Sequence, residues 1–237
     1  MSIYSLLILM SLKDFFFPKI CLGCSYLGAY ICPQCQKKLT YVEKEVCFFC
    51  KKSSLFGLTH YSCQKKHSPN GIMTIFFYNN LLKKIIKSIK YQFATEVFKE
   101  LFRIIDPKKI EKLSFFADFK NIVFQPIPLH PNKEKQRGFN QAKILVSFFQ
   151  KFLPFPEVNY LERIKETKPQ AEIKERKKRY LNIRGAFSIN PKTKIELDKT
   201  IVVVDDVVTT GITVLEAVKT LKKAGFNKVF VLTLAKA

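Results

Sequence analysis

Two adjacent carboxylates, Asp205 and Asp206, stand between an apolar run and a turn rich in threonine and glycine, in the stretch VVVDDVVTTGIT. At the end of a strand, each carboxylate can accept a hydrogen bond from one of the vicinal hydroxyls of a ribose. Residues 209–213 then offer backbone N–H groups and hydroxyls at the start of a predicted helix, where glycine lets a phosphate approach closely. The pattern predicts a ribose site beside a phosphate site; the alternative is an acidic pair that simply ends a strand. Neither G-x-G-x-x-G nor G-x-x-x-x-G-K-[ST] occurs, which excludes the Rossmann and Walker patterns.

All seven cysteines lie between positions 21 and 63, mostly as C-x-x-C pairs, and this spacing favours metal binding over disulfides. Zinc is the metal that such sulfur-rich tetrahedral sites suit best, and an iron–sulfur cluster is the alternative. Two structural sites are predicted, holding one or two zinc ions: Cys21, Cys24, Cys32 and Cys35 in the first, and Cys47, Cys50, His60 and Cys63 in the second. His67 competes with His60 for the fourth place in the second site.

Strand and helix patterns alternate after residue 70, where the cysteines have ended. Apolar runs predict strands at 72–78, 121–127, 199–206 and 228–235, and the run at 199–206 shows no alternation, as in strands covered on both faces. Helical spacing predicts helices at 138–152 and at 212–224, and Gly225 ends the second of them. It also predicts two amphipathic stretches. One contains Leu82, Ile85, Ile86 and Ile89, and the other covers residues 93–105. We therefore expect an α/β fold with a doubly wound, mainly parallel sheet. The predicted domains are an N-terminal extension at 1–18, a small cysteine-rich zinc-binding domain at 19–68, and the α/β domain at 70–237.

The 237-residue chain carries a formal net charge of +22, from 41 lysines and arginines against 19 acidic residues. A field of this size attracts polyanions or phosphorylated small molecules, although a merely solvated basic surface is the alternative. Two predicted loops concentrate the charge. Residues 126–141 carry Lys133, Lys135 and Arg137, and residues 163–184 hold nine basic and three acidic residues.

The N-terminal apolar run at residues 6–10 lacks the basic flank and the small-residue cleavage site of a signal peptide, and it is too short to span a bilayer. We therefore expect a cytoplasmic protein without membrane insertion. Met1 and Met10 are both candidate start sites.

The stretch VVVDDVVTTGIT resembles the phosphoribosyl pyrophosphate (PRPP) signature of type I phosphoribosyltransferases. The stretches PIPLHPNKEKQRGFNQA, ETKPQ, RYLNIRGAF and VLTLAKA narrow the resemblance to the ComF competence-protein family. That family carries the same N-terminal cysteine pairs, so the resemblance covers about residues 18–237, and His60 stands where family members commonly have a cysteine.

The resemblance implies a type I phosphoribosyltransferase fold in which Asp205 and Asp206 hold the ribose hydroxyls of PRPP. Mg²⁺ would accompany PRPP and neutralise the departing pyrophosphate. The loop at 126–137 would lie near pyrophosphate, and residues 163–184 would form a mobile flap. The remaining PRPP-binding candidates are Val207, Val208, Thr209, Thr210, Gly211, Ile212 and Thr213, and the candidates for pyrophosphate contacts are Arg137 and either Arg176 or Arg179.

The resemblance also implies a role in DNA uptake and natural transformation. Single-stranded DNA and competence or recombination proteins are the partners expected from it, with Tyr180 and Phe139 as candidates for base stacking. Two other functions remain open at this stage: a purine or pyrimidine salvage phosphoribosyltransferase, and a non-catalytic module that binds PRPP or DNA. No residue pattern identifies the acceptor of the ribosyl phosphate, and none fixes the oligomeric state.

Overall fold

A computed structural model describes residues 18–88, 94–167, 173 and 175–237. Its contacts divide the chain into two units: residues 1–40 with 79–105, and residues 41–78 with 106–237. Each unit contains one of the two cysteine groups. The predicted extension at 1–18 lies almost entirely outside the described residues, and the predicted domain boundaries stay a prediction.

Three helices lie among the described residues of the first unit: α1 (Pro33–Gln36), α2 (Asn80–Ser88) and α3 (Ala94–Ile104). The predicted amphipathic stretch forms α2, which buries Leu81, Leu82, Ile85 and Ile86 and exposes its lysines; Ile89 lies outside the described residues. The backbone N–H of Ile31 donates to Oε1 of Glu100 at 2.6 Å, so the cysteine loop of this unit is tied to α3.

The second unit is built on a four-stranded, wholly parallel sheet. Its strands are β1 (Gly71–Phe77), β2 (Ile122–Pro126), β5 (Thr200–Val208) and β6 (Lys228–Lys236), in the order β1-β6-β5-β2; β3 (Leu161–Arg163) and β4 (Phe187–Ile189) pair antiparallel in a separate ribbon. Residues 201–204 and 229–232 are almost fully buried, in agreement with apolar runs that show no alternation. The predicted α/β fold with a mainly parallel sheet is confirmed.

In the described part of this unit there are four helices: α4 (Pro131–Arg137), α5 (Gln141–Phe149), α6 (Arg176–Ile183) and α7 (Ile212–Lys223). Short 3₁₀ turns occupy Leu55–Gly57 and Tyr61–Cys63, and a longer 3₁₀ stretch runs over Pro107–Asp118. The helix α7 starts and ends close to the predicted residues, with Gly225 at φ 106° immediately after its C-cap.

The segment before α5 differs from the prediction, which had a loop at 126–141 and one helix at 138–152. Residues 131–137 are instead helical, because Pro131 occupies the first turn of α4 and Gly138 ends it with φ 78°. Helix α5 starts only at Gln141, since Asn140 caps it by accepting the N–H of Ala142 at 2.9 Å.

Among the residues that the structure describes, no helix combines the length and the apolar character that crossing a bilayer requires.

Candidate functional site

The Asp205–Asp206 pair lies within β5 and does not end it. The predicted strand end at Asp206 is wrong, because β5 continues to Val208 through its pairing with β6, where Val208 lies opposite Lys236. On the other side β2 stops at Pro126, opposite Val204. The two carboxylates therefore lie at the carboxyl edge of the sheet, beyond the end of β2, where parallel sheets bind their ligands.

Asp205 is buried, with 7% of its surface exposed, and it accepts the backbone N–H of Asp206 at 2.9 Å. Burial raises the pKa of Asp205 well above its usual range, and the negative charge of Asp206 raises it further, while the Arg163 guanidinium opposes the shift. Asp206 is half-buried and accepts the N–H of Val207 at 2.8 Å. One carboxylate is thus desolvated and its neighbour reaches solvent.

Arg163 is the cation of this site that the sequence reasoning missed. It closes β3, and its guanidinium lies 5.4 Å from the centroid of the Phe187 ring. Burial lowers the pKa of Arg163 below its usual range. The negative charge of Asp205 opposes this shift, and the positive charge of Arg137 adds to it, so the three charged groups lie in one region. Nη2 of Arg163 donates to the hydroxyl of Thr167, whereas its buried Nε has no hydrogen-bond partner among the described residues. In the sequence Arg163 is only the first of nine basic residues, and nothing in that segment separates it from the others.

The turn at residues 209–211 leads from β5 into α7, as predicted. Gly211 is the N-cap of α7 and has φ 73°, in the left-handed region that favours glycine. The N–H groups in the first turn of an α-helix have no acceptor within the helix, and the helix dipole places partial positive charge there. Thr210 and Thr213 are half-buried beside this turn, and Thr209 is exposed. The arrangement can accept an anion next to the two carboxylates of β5.

The three candidate arginines differ in their placement. Arg137 ends α4, where its Nη1 donates to Oε1 of Gln141 at 3.2 Å, and its charge acts on Arg163. Arg179, in α6, donates through Nε to the carbonyl of Ile173 at 2.6 Å, within its own segment. Arg176 is the first residue of α6, and its side chain lies outside the described residues. Arg137 is therefore the candidate whose charge lies near Arg163.

The first cysteine group is assembled in the first unit. The four sulfur atoms of Cys21, Cys24, Cys32 and Cys35 lie within 4.8 Å of one another, and the Sγ atoms of Cys24 and Cys32 are 3.5 Å apart. Burial opposes ionisation of Cys21, but hydrogen bonds from the backbone N–H groups of Cys32, Cys24 and Gly23 lower its pKa to about 6. Four clustered sulfurs, one of them readily ionised, fit a tetrahedral zinc site.

The second cysteine group is assembled in the second unit and uses His60. Ligand atoms of Cys47, Cys50, His60 and Cys63 lie within 4.8 Å of one another, and Nδ1 of His60 is 3.2 Å from Sγ of Cys50. Nε2 of His60 lies 3.1 Å from the carbonyl of Ser53, the outer hydrogen bond that orients a metal-binding imidazole. Burial opposes ionisation of Cys47 as well, but its pKa is lowered to about 6 by the backbone N–H groups of Cys50, His60 and Phe49.

His67, the alternative ligand, lies elsewhere. It lines a surface cavity of about 810 Å³ within the second unit, together with residues from α6, from α7 and from the turn that precedes α7. The wall is mainly basic and aromatic: Phe49, Lys65, Lys66, His67, Ser68, Lys177, Tyr180, Thr210, Ile212, Leu215, Glu216 and Lys219. Tyr180 thus lies beside lysines, whereas Phe139 does not line this cavity.

Comparison with known proteins gives a family match that includes the residues around Asp205 and Asp206. The model of the phosphoribosyl transferase domain family matches residues 137–237, which include Arg137, Arg163, β5, the turn and α7.

The chain is also similar over most of its length to three curated competence proteins. Identity is 27% over 215 residues with Competence protein F of Haemophilus influenzae, covering 87% of this chain and 90% of the relative. It is 25% over 202 residues with ComFC of Streptococcus pneumoniae, covering 84% of each chain. It is 23% over 205 residues with ComFC of Bacillus subtilis, covering 82% and 79%. Over most of its length the chain is thus similar to ComF-type competence proteins.

These similarities confirm the resemblance predicted from the sequence. The phosphoribosyl transferase match begins at residue 137, so both cysteine groups lie outside it. Both groups could bind zinc, and the identity of the metal ligands stays a prediction. The roles of the individual PRPP-site residues likewise stay predictions.

Proposed function

We propose that this protein binds PRPP together with Mg²⁺ at residues 205–213 and acts in DNA uptake during natural transformation. The observation that carries the proposal is the placement of the Asp205–Asp206 pair directly before the N-terminus of α7, at the carboxyl edge of a parallel sheet. The carboxylates would accept the two ribose hydroxyls, and the first turn of α7 would hold the 5-phosphate. The competence role rests on the three relatives, which are competence proteins, and the cytoplasmic location is part of the same proposal.

The transfer step would depend mainly on charge placement. As pyrophosphate leaves, the anomeric carbon becomes oxocarbenium-like, and a nucleophile takes the ribosyl phosphate. Mg²⁺ bound with PRPP would neutralise charge on the leaving group. Arg137, and Arg176 or Arg179 from the basic segment at residues 163–184, would contact pyrophosphate. Positioning and electrostatic stabilisation can supply the acceleration without a covalent nucleophile from the protein.

Calorimetry with PRPP and Mg²⁺ tests the binding proposal. We expect saturable heat for the wild-type protein and none for Asp205→Asn/Asp206→Asn, because the two amides cannot replace the pair of charged acceptors for the ribose hydroxyls. Glu162→Gln is the matched control, since Glu162 lies in β3 and bonds only the hydroxyl of Ser188 among the described hydrogen bonds. Equal affinity in the double variant would contradict the assignment. Release of pyrophosphate with one free base from a panel would favour a salvage enzyme instead.

A second binding function is favoured by the cavity. Four lysines and a histidine line it together with Phe49 and Tyr180, and this combination suits single-stranded nucleic acid, whose bases stack on aromatic rings while lysines contact phosphates. We expect Tyr180→Ala to weaken binding of single-stranded DNA by about 1–3 kcal/mol. Tyr26→Ala is the control, because Tyr26 is exposed and belongs to the other unit. The affinity of the wild-type protein should fall steeply with salt. A flat salt dependence would contradict this part of the proposal.

A further inference from the structure

The loop of the second cysteine group contacts the turn that precedes α7. Phe48 lies between Cys47 and Cys50, and the end of its ring faces the backbone of Gly211. A Cβ atom placed on Gly211 would lie 2.4 Å from Cζ of Phe48, 3.0 Å from its Cε1 and 3.2 Å from its Cε2. No real Cβ occupies such a position, so the ring takes the space that a side chain at 211 would need.

This contact restricts a residue that would otherwise have wide freedom. Glycine populates many backbone conformations, and Gly211 is held at φ 73° where it begins α7. Gly211 is buried, and Phe48 and Ile212 both pack against the same core cluster. The ring of Phe48 therefore fixes the turn from one side, while the core holds the ring from the other.

The position of Phe48 is in turn set by the cysteine group. The N–H of Lys51 donates to the carbonyl of Cys47 at 2.9 Å, and the N–H of Cys47 donates to the carbonyl of Lys52 at 2.9 Å, which closes the loop tightly around Phe48. The Nζ of Lys51 lies 4.4 Å from the centroid of the Phe48 ring. A metal ion held by Cys47, Cys50, His60 and Cys63 would cross-link both ends of this loop to a second segment of the chain.

We propose that the second cysteine group positions the phosphate-binding turn, with Phe48 as the contact through which metal binding orders residues 209–213. Phe48 is a positioning residue, since it contacts the backbone of the turn and not the proposed ligand. An ordered turn binds an anion without first losing conformational freedom, whereas a loose turn incurs that loss on binding. The consequence for PRPP affinity rests on the function proposed above; the ordering of the turn does not.

Hydrogen exchange of the first hydrogen-bonded amides of α7 tests the ordering without any ligand, because Leu215 donates its N–H to the carbonyl of Gly211 at 2.8 Å, within the turn. We expect Phe48→Ala to speed exchange of these amides at least tenfold while the metal content stays that of the wild-type protein. Phe48→Leu, which keeps apolar volume at the contact, should restore much of the protection. Unchanged exchange in Phe48→Ala would overturn the proposal. So would equally fast exchange across β5 and β6 in this variant, which would indicate a general loss of the fold.

Cysteine variants separate the two metal groups. Cys50→Ser should lose metal from the second group and expose the same amides, whereas Cys24→Ser should lose metal from the first group and leave them protected. Equal effects of the two variants would overturn the link. Where the wild-type protein binds PRPP, Phe48→Ala and Cys50→Ser should each weaken binding about tenfold, and Cys24→Ser should not. If the wild-type protein does not bind PRPP, the proposed function fails, while the exchange data still decide the ordering.

Discussion

The carboxylate of Glu216, in α7, accepts the backbone N–H of Gly185 at 2.9 Å, just after the end of α6. Glu216 is only 8% exposed, and its other oxygen lies 3.4 Å from Nζ of Lys219. One carboxylate thus anchors the C-terminal end of the basic segment to the helix whose N-terminus forms the proposed phosphate site.

We expect Glu216→Ala to lower the free energy of unfolding by about 1–3 kcal/mol, because the N–H of Gly185 loses its buried acceptor. Glu216→Gln keeps an acceptor oxygen and should cost less. Urea denaturation measures both values. Glu175→Ala serves as the control, since among the described residues this exposed glutamate forms its ion pair with Lys178 on the surface, and its loss should change stability by less than about 0.5 kcal/mol. A Glu216→Ala protein as stable as the control would contradict the anchoring role.

The raised pKa of Asp205 predicts a pH-dependent stability cost. A carboxyl whose pKa is higher in the folded state binds a proton there more readily than in the unfolded chain, so stability falls as pH rises from about 4 through the folded-state pKa. Asp205→Asn removes this charge and should raise the melting temperature of the ligand-free protein at pH 7. The difference should shrink as pH falls below about 4, where Asp205 becomes mostly protonated in both states. Thermal scans from pH 3.5 to 8 check this, and a variant less stable at pH 7 would contradict it.

The charge of Arg163 should control the ionisation of Asp205. Arg163→Met keeps apolar length beside Phe187 but removes the cation that opposes the upward shift of the Asp205 pKa. The pKa of Asp205 should therefore rise further, and the acid limb of a PRPP-affinity profile should move to higher pH. Calorimetry across pH measures the limb. Arg184→Met, at an exposed arginine of the same basic segment, should leave it in place. Identical profiles for Arg163→Met and the wild-type protein would exclude this role.

Gly211 and Phe48 should be energetically coupled. Gly211→Ala combines a positive φ, which costs roughly 1–2 kcal/mol, with the clash against the ring. Phe48→Leu shortens the clashing group, so the double variant should be less destabilised than the sum of the two single variants. A double-mutant cycle on the free energies of unfolding measures the coupling, for which we expect about 0.5–3 kcal/mol. Additive effects would show that the contact has no energetic weight.

Metal content provides a direct test of the two cysteine groups. We expect about two zinc ions in the wild-type protein and about one in Cys63→Ser. His60→Ala should lose the second ion, while His67→Ala should keep it, because His67 lines the cavity instead. Elemental analysis of purified protein measures each value. A second ion that persists in His60→Ala would point to a different fourth ligand.

The sequence by itself determined the four strands of the parallel sheet, helix α7 and the local composition of the site. The apolar runs at 199–206 and 228–235 contain enough information to predict buried strands, and C-x-x-C spacing is local enough to predict metal sites. The acidic pair and the glycine turn are adjacent in the chain, so their proximity follows from connectivity alone. The predicted helix at 138–152 includes Gly138, because a pattern of apolar residues does not reveal a positive φ.

Only the tertiary structure decided the contacts between distant segments. The charges of Arg163 and Asp205 act on each other although the two residues are 42 positions apart in the chain. Phe48 meets Gly211 across more than 160 residues, and Glu216 meets Gly185 at a separation of 31. The full length of β5 depends on its pairing with β6, which continues past the acidic pair. Local patterns specify helices and strands, whereas burial, charge neighbours and steric exclusion arise only when those elements pack together.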